Sequence, residues 1–471
     1  MASYKKLGKD MFFMTIGTFG SRLLSFVFVP FYTAVLTTEE YGTADLITTT
    51  VTLMLPFFTL IIFEAMMRFA LEKEIDQGAI WNIGMKIEGI GILIFLIISP
   101  VFNFTILKEY YIFIVANYVI TSLNRCVSYF VRGLNKIKIF AFAGTLQTGI
   151  LVGANLVFLL ILDAGIEGYL LSQILAAVVA TLFMFVAAKL YRFRFDIIHV
   201  DKRLQREMLR YSIPMIPNSV SWWIANASDR YILTAFSGAA ANGIYSVAYK
   251  IPTIISTLMS IFGNAWKLSA VEEFGTEKSQ KFFEDIFSKL TALMLLTVSV
   301  LLVINKPLAR ILFSKEFYQA WQTVPLLLIA AAMHAYAEFY GSIYTSSYKT
   351  NFLVYSTVAG SFINIVLNLL LIPKLEAMGA AIATAIGYFI IWISRVFNSR
   401  KIMKLHINWK RDSIAYMLMI VQIFIACNQF KFELITSGII FLMILFLMRT
   451  ELAGLMSIML KKVKLKGTVL K

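Results

Sequence analysis

The chain has 471 residues, 59% of them hydrophobic and 15% charged, with mean hydropathy +0.77 and formal net charge +16. A soluble chain would carry roughly a quarter charged residues, so this composition excludes a soluble enzyme and a disordered protein. Apolar runs recur along the whole chain, which excludes a single-anchor receptor and predicts an all-α polytopic membrane protein.

In chain order, fourteen spans are predicted, each long enough to cross a hydrocarbon core of about 30 Å. The first six cover 11–36, 43–67, 79–102, 110–131, 139–162 and 167–190. A basic connector, 191–210, leads to 211–235, 241–265, 283–304, 323–345, 352–373 and 378–398. Two more, 412–428 and 433–449, precede a basic tail. The start MASYKKLGKDMFFM has a basic n-region, but its apolar run continues without a small-residue cleavage site, so it reads as a retained first helix.

With the N-terminus in the cytoplasm, inner segments hold 34 Lys and Arg and outer loops 6, the other three (Arg22, Arg230, Lys250) falling within spans. One missed helix would flip every later loop and destroy this asymmetry. The basic excess therefore reads as positive-inside charge, with no nucleic-acid partner implied. Cys126 and Cys427 are far apart in apolar runs, and His199, His334 and His406 are dispersed, so no metal site or cofactor is expected.

KIKIFAFAGTLQTGILVGAN in span five resembles KTNFLVYSTVAGSFINIVLN in span eleven, and Gly42 opens span two as Gly243 opens span eight. Six helices separate each pair, so the repeat is parallel and predicts two six-helix lobes. The expected organisation is 1–195, 196–405, and 406–471 for two extra helices with a basic tail.

Polar residues inside a bilayer are costly, so their spacing carries information. Helical spacing aligns Thr15, Thr18, Arg22 and Ser25 in span one, and Ser219, Trp222, Asn226 and Asp229 in span seven. It likewise aligns Asp45, Thr49, Thr52 and Pro56 in span two, and Ser246, Lys250, Thr253 and Thr257 in span eight. Arg22 and Lys250 sit about 14–17 Å deep at 1.5 Å per residue. Two readings of these bases stay open: an internal ion pair with Asp45 or Asp229, and a cationic cavity for an anionic ligand. Arg68 and Arg125 lie near the inner mouth, where a snorkelling Arg is ordinary. Arg230 reads as a local pair with Asp229. His334 and Glu338, at i and i+4, form either a proton relay or a satisfied polar pair. Pro30, Pro214, Pro217 and Pro252 mark bends. No Walker motif occurs, so energy must come from an ion gradient, the membrane potential or product removal.

Several stretches resemble the Wzx-type polysaccharide flippases of the multidrug/oligosaccharidyl-lipid/polysaccharide exporter superfamily. They are TFGSRLLSFVFVPFYTAVLTTEEYGTADL, RYSIPMIPNSVSWWIANASDRYIL, NGIYSVAYKI and NIVLNLLLIPKLEAMGAAIATAIGY. The resemblance implies a non-enzyme in the bacterial cytoplasmic membrane that flips undecaprenyl-pyrophosphate-linked oligosaccharide outward by alternating access. It also implies membrane lipids and polysaccharide polymerase or assembly proteins as partners. Ser21-Arg22 is similar to the Ser-Arg pair of the related lipid II flippases, whose Arg lines a cationic cavity. The loop KLEAMGAA after Pro373 departs from the family's Gly-rich turn. A lipid II flippase, a multidrug exporter, and a membrane polysaccharide polymerase or ligase are the competing readings.

Overall fold

The computed structural model describes residues 26–72, 74–193, 196, 200–347, 349–428, 430 and 432–454. Among them no strand occurs. Sixteen α-helices are described: α1 Val29–Val35, α2 Thr38–Phe58, α3 Ile62–Ala70, α4 Gln77–Ile98, α5 Tyr111–Gly133, α6 Ile137–Asn155, α7 Gly165–Ala187 and α8 Lys202–Ser212. They continue with α9 Ile216–Ala248, α10 Thr253–Glu273, α11 Ser279–Val303, α12 Asn305–Leu312, α13 Val324–Ser346, α14 Asn351–Ser399, α15 Trp409–Cys427 and α16 Glu433–Leu447. Among the described residues, six helical stretches are each long and apolar enough to cross a membrane, and α2 with α3 would form a seventh. α14 turns at Glu376 (φ 48°) and carries the stretches read as spans eleven and twelve. α9 turns at Gly238 (φ 86°) in the same way between spans seven and eight.

Two predicted spans are not continuous helices. Span two breaks by 64° between α2 and α3. Pro56 removes a backbone donor in the last turn of α2, and Leu60 and Ile61 then adopt positive φ (47° and 53°). Thr59 stabilises the break: its hydroxyl donates to Leu55 O at 2.8 Å and accepts Ile61 N–H at 3.1 Å. Span eight breaks at 249–252, where Pro252 cannot supply an N–H and α10 starts at Thr253. The connector contains an amphipathic helix, α8, capped by Asp201, which accepts the N–H groups of Arg203 and Leu204.

The chain divides into two compact units. The first runs to Thr234 and includes Gly238–Gly243; the second takes Ala235–Ser237 and continues from Ile244. The first thus includes residues 196–234, which the repeat would assign to the second lobe. Two apolar clusters are described in its interior. One gathers α3, α4 and α5 around Met66, Trp81 and Phe130; the other gathers α2, α4, α5 and α7 around Leu55, Phe95, Tyr118 and Leu170.

In the second unit α13 is buried along nearly its whole length, because aromatic side chains of α10 and α11 pack on it. Trp266 stacks on Phe339 with ring centroids 4.8 Å apart, and its indole N–H donates to Ser342 at 2.9 Å. One buried amide helps to dock the two extra helices on α11. Gln422 accepts the Ser299 hydroxyl at 2.7 Å and donates to the carbonyls of Ser299 and Ser437.

Candidate functional site

In the first unit α2, α5 and α9 enclose a cavity of about 450 Å³ lined by Asp45, Thr48, Thr49, Thr52, Pro56, Ile61, Phe63, Arg125, Ser219, Trp223, Ala227 and Arg230. Its size suits a small ligand or one part of a larger one. A capping box fixes the start of α2: Thr37 accepts the Glu40 N–H at 3.2 Å, and Glu40 accepts the Thr37 N–H at 2.8 Å. From that start the helical period carries Asp45, Thr49, Thr52 and Pro56 down one wall.

At the centre of the polar network, Arg230 Nη1 donates to both carboxylate oxygens of Asp45, each at 2.5 Å, and lies 3.4 Å from Thr49 Oγ1. Both side chains are about 19% exposed, so the pair is partly shielded from solvent. Asn242 donates to Gly42 O at 2.8 Å, and its amide lies 3.5 Å from Asp45. Trp223 donates its indole N–H to Thr49 O at 3.1 Å, and Tyr231 shares a 2.5 Å hydrogen bond with Thr50. Arg125 projects into the cavity from α5, its guanidinium 5.7 Å from the Phe63 ring centroid.

Among the described lining residues, two Arg and one Asp leave one positive charge in excess. The threonines have a definite polarity. Thr48 and Thr52 donate their hydroxyls to backbone carbonyls one turn earlier, each at 2.9 Å. With the donor so used, each of these lining hydroxyls has only acceptor capacity left for a ligand hydroxyl.

Of the residues singled out by spacing, Asp45, Thr49, Thr52, Pro56 and Ser219 line the cavity, and so does Arg125, which the sequence placed near the inner mouth. On α9 the described lining residues are Ser219, which belongs to the predicted stripe, and Trp223, Ala227 and Arg230, which do not. The side chain of Asn226 and all of Arg22 lie outside the described residues. Asp229 is buried away from the cavity, its Oδ1 accepting the Arg230 backbone N–H at 3.0 Å. Arg230 is therefore not a local side-chain pair with Asp229; its guanidinium crosses to a carboxylate 185 residues away. Arg68 is half-exposed and pairs with Glu72 at 2.7 Å. In the second unit Lys250 sits in the break after α9, so the expected stripe is interrupted: Ser246 is buried and Thr253 exposed. The His334 ring lies 4.8 Å from Tyr388, and Glu338 is exposed.

Sequence reasoning passed over Trp223 and Glu88, and it counted Arg395 among the inner-loop charges. Arg395 is buried, donating to Ala337 O at 2.7 Å, Thr357 at 2.9 Å, Ser356 at 3.0 Å and Leu353 O at 3.4 Å. Its position three residues from the end of a predicted span left its depth ambiguous.

A family model described as "Polysaccharide biosynthesis protein" matches residues 7–266, more than half of the chain. The chain belongs to that family. An uncharacterized membrane protein of Methanocaldococcus jannaschii, MJ1375, is 23% identical over 84% of this chain and 99% of its own length. A second from that organism, MJ1068, is 26% identical over 43% of this chain and 41% of its own length. The probable low-salt glycan biosynthesis flippase Agl15 of Haloferax volcanii is 24% identical over 39% of each chain. The chain thus spans about two fifths of the length of MJ1068 and of Agl15, and nearly all of MJ1375. Among solved structures, the lipid II flippase MurJ in an inward closed conformation aligns with TM-score 0.67 at 14% identity, over 93% of this chain and 98% of that one. An inward-facing multidrug resistance MATE transporter of the MOP superfamily gives 0.62 at 14% identity, over 84% and 96%. At that identity the likeness shows the fold alone: an all-helical multi-pass membrane architecture like that of those two structures.

Proposed function

We propose that the protein is a flippase for a polyprenyl-pyrophosphate-linked oligosaccharide, undecaprenyl in a bacterial cell membrane, moving it from the cytoplasmic to the outer leaflet. The observation that carries this reading is the cavity pairing Arg125 and the Asp45-held Arg230 with a wall of acceptor hydroxyls. A sugar hydroxyl left unpaired in hydrocarbon costs several kcal/mol, so unaided crossing is very slow. The threonine wall replaces water around the sugars, and the arginines meet the diphosphate through charge-assisted bonds. Arg22 and Lys250, the two bases that the sequence places deep within spans, remain candidate substrate contacts in this proposal. Asp45 holds Arg230 until the ligand's own anion competes for it. Fourteen spans, two six-helix lobes and cytoplasmic termini belong to the same proposal.

Agl15 carries a flippase name and the family a polysaccharide one, which favours this substrate class over drugs. A cavity with excess positive charge also disfavours organic cations. Conditional depletion, with extraction of lipid-linked saccharides, tests the reading. Lipid-linked saccharide should accumulate on the cytoplasmic leaflet and surface polymer should fall. Arg125→Gln, which removes a charge packed over Phe63, should weaken ligand binding by about 10- to 150-fold at normal abundance, as expected for loss of a charge-assisted contact. If depletion blocks saccharide assembly, or only sensitises cells to organic cations, the flippase reading falls.

A further inference from the structure

Glu88 lies in the middle of α4, eleven residues after Gln77, about 16 Å along a helix apolar enough to span a membrane. It is 1% exposed. Its Oε2 accepts the Cys126 thiol at 3.1 Å, and its Oε1, fully buried, has no hydrogen-bond partner among the described residues. Tyr118, Ser122 and Cys126 stand at i, i+4 and i+8 on α5, all buried, so one polar stripe of that helix faces this carboxyl. The Tyr118 hydroxyl is likewise without a hydrogen-bond partner among the described residues. Its ring is held by stacking on Phe95 at 3.8 Å.

The site adjoins the hinge of span two. Gly84, Glu88 and Gly91 share one face of α4 at i, i+4 and i+7. A Cβ on Gly91 would stand 2.0 Å from Phe58 O, and one on Gly84 would stand 2.3 Å from Met66 Sδ. The carboxyl is thus set between the two ends of the 64° bend. Beyond the bend, Ile61 and Phe63 line the cavity, and Arg125, next to Cys126, enters it from α5.

We propose that Glu88 is a proton-binding site whose occupancy sets the bend between α2 and α3. The titratable groups facing it are Tyr118 and Cys126 of α5. The charged residues of α3 engage elsewhere: Glu64 approaches the Tyr129 hydroxyl, and Arg68 pairs with Glu72. No cation among the described residues compensates a carboxylate here. A bare charge in this pocket, without a counter-ion or water, is costly. Losing the proton creates a buried anion that is relieved by admitting water or rotating the hinge. Straightening span two would move Ile61 and Phe63, and with them the cavity wall. A sodium ion would ask for several oxygen ligands, whereas this pocket offers a thiol and few oxygens.

The experiment uses the purified full-length chain in lipid nanodiscs and needs no transported substrate, so it stands or falls apart from the flippase reading. Infrared spectra across a pH titration should show a buried protonated carboxyl that bleaches at alkaline pH. Glu88→Gln should remove that band, and Cys126→Ala, which deletes the thiol donor, should shift it. Spin labels on Glu39→Cys and Leu71→Cys, in a Cys427→Ser background, should report a distance across the bend that changes with pH. Glu88→Gln should hold the low-pH distance throughout. The site is overturned if the band survives Glu88→Gln, or if sodium at constant pH bleaches it. The hinge coupling is overturned if the wild-type distance ignores pH or the Gln variant still switches.

Discussion

Gly42 and Gly243 meet backbone to backbone in the first unit. A Cβ on Gly42 would stand 1.9 Å from Ala239 O and 2.6 Å from Gly243 N, and one on Gly243 would stand 1.9 Å from Thr38 O. Two helix segments can cross that closely only where neither carries a side chain, as small-residue crossings in membranes require. Asn242 then reaches the Gly42 carbonyl, and Arg230 reaches Asp45 three residues on.

Gly42→Ala and Gly243→Ala should therefore each force the crossing apart. The expected cost is that of overpacking, about 1–3 kcal/mol, seen as a lower melting temperature of the solubilised protein. Gly144→Ala is the control, since nothing lies within 4 Å of its Cβ position. If all three alanine variants melt alike, the close crossing is not a feature of the folded state.

A second prediction separates structure from binding at the ion pair. Asp45→Asn leaves Arg230 facing the cavity without its carboxylate. Loss of one partner of a fully buried pair costs about 3–5 kcal/mol; with both side chains about 19% exposed, the cost here is smaller. Abundance should fall in Asp45→Asn and in Arg230→Gln. The charge-reversed double variant, Asp45→Arg with Arg230→Asp, should regain abundance yet fail to export, because the cation then sits on the other helix. Full export by the swapped protein would make the pair purely structural.

The apolar runs located the helices because length and hydropathy are local properties. The threonine wall of α2 was legible for the same reason: one helix, one period. What the sequence obscured is non-local. Asp229 precedes Arg230, so adjacency suggested a pair, whereas the actual partner, Asp45, lies 185 residues away on another helix. The bend at 59–61 was hidden because Leu60 and Ile61, not glycines, take positive φ there. Glu88 shares its helix with Lys86 and reads from sequence as an ordinary charged position. Only burial against the Tyr118–Ser122–Cys126 stripe distinguishes it.

Arg395 supplies a third prediction. Its guanidinium joins α13 to both halves of α14, through Ala337, Leu353, Ser356 and Thr357. Arg395→Met fills similar space but leaves these acceptors without the guanidinium, and each buried orphan costs about 1–3 kcal/mol. Protein level in membranes should drop sharply, while export per surviving molecule stays near wild type. An abundant Met variant that fails to export would instead make Arg395 part of the transport path.

The last prediction concerns sidedness, which rests on loop charge. Glu39 and Asn103 are exposed at connections that the charge count assigns to the outside; Lys202 and Lys404 are exposed at connections assigned to the cytoplasm. Single cysteines at these positions suit a membrane-impermeant thiol reagent. Of the native thiols, Cys126 is buried, and Cys427 is removed by Cys427→Ser. Glu39→Cys and Asn103→Cys should label in intact cells, and Lys202→Cys and Lys404→Cys only after the membrane is opened. Glu39 and Asn103 lie at opposite ends of the stretch formed by α2, α3 and α4, whose first part bends by 64°. If that bent pair were re-entrant rather than a full crossing, α4 alone would separate the two positions, and only one of them would label from outside. Labelling of both therefore tests the span that carries the cavity wall, and a mixed result would invert every loop assignment after it.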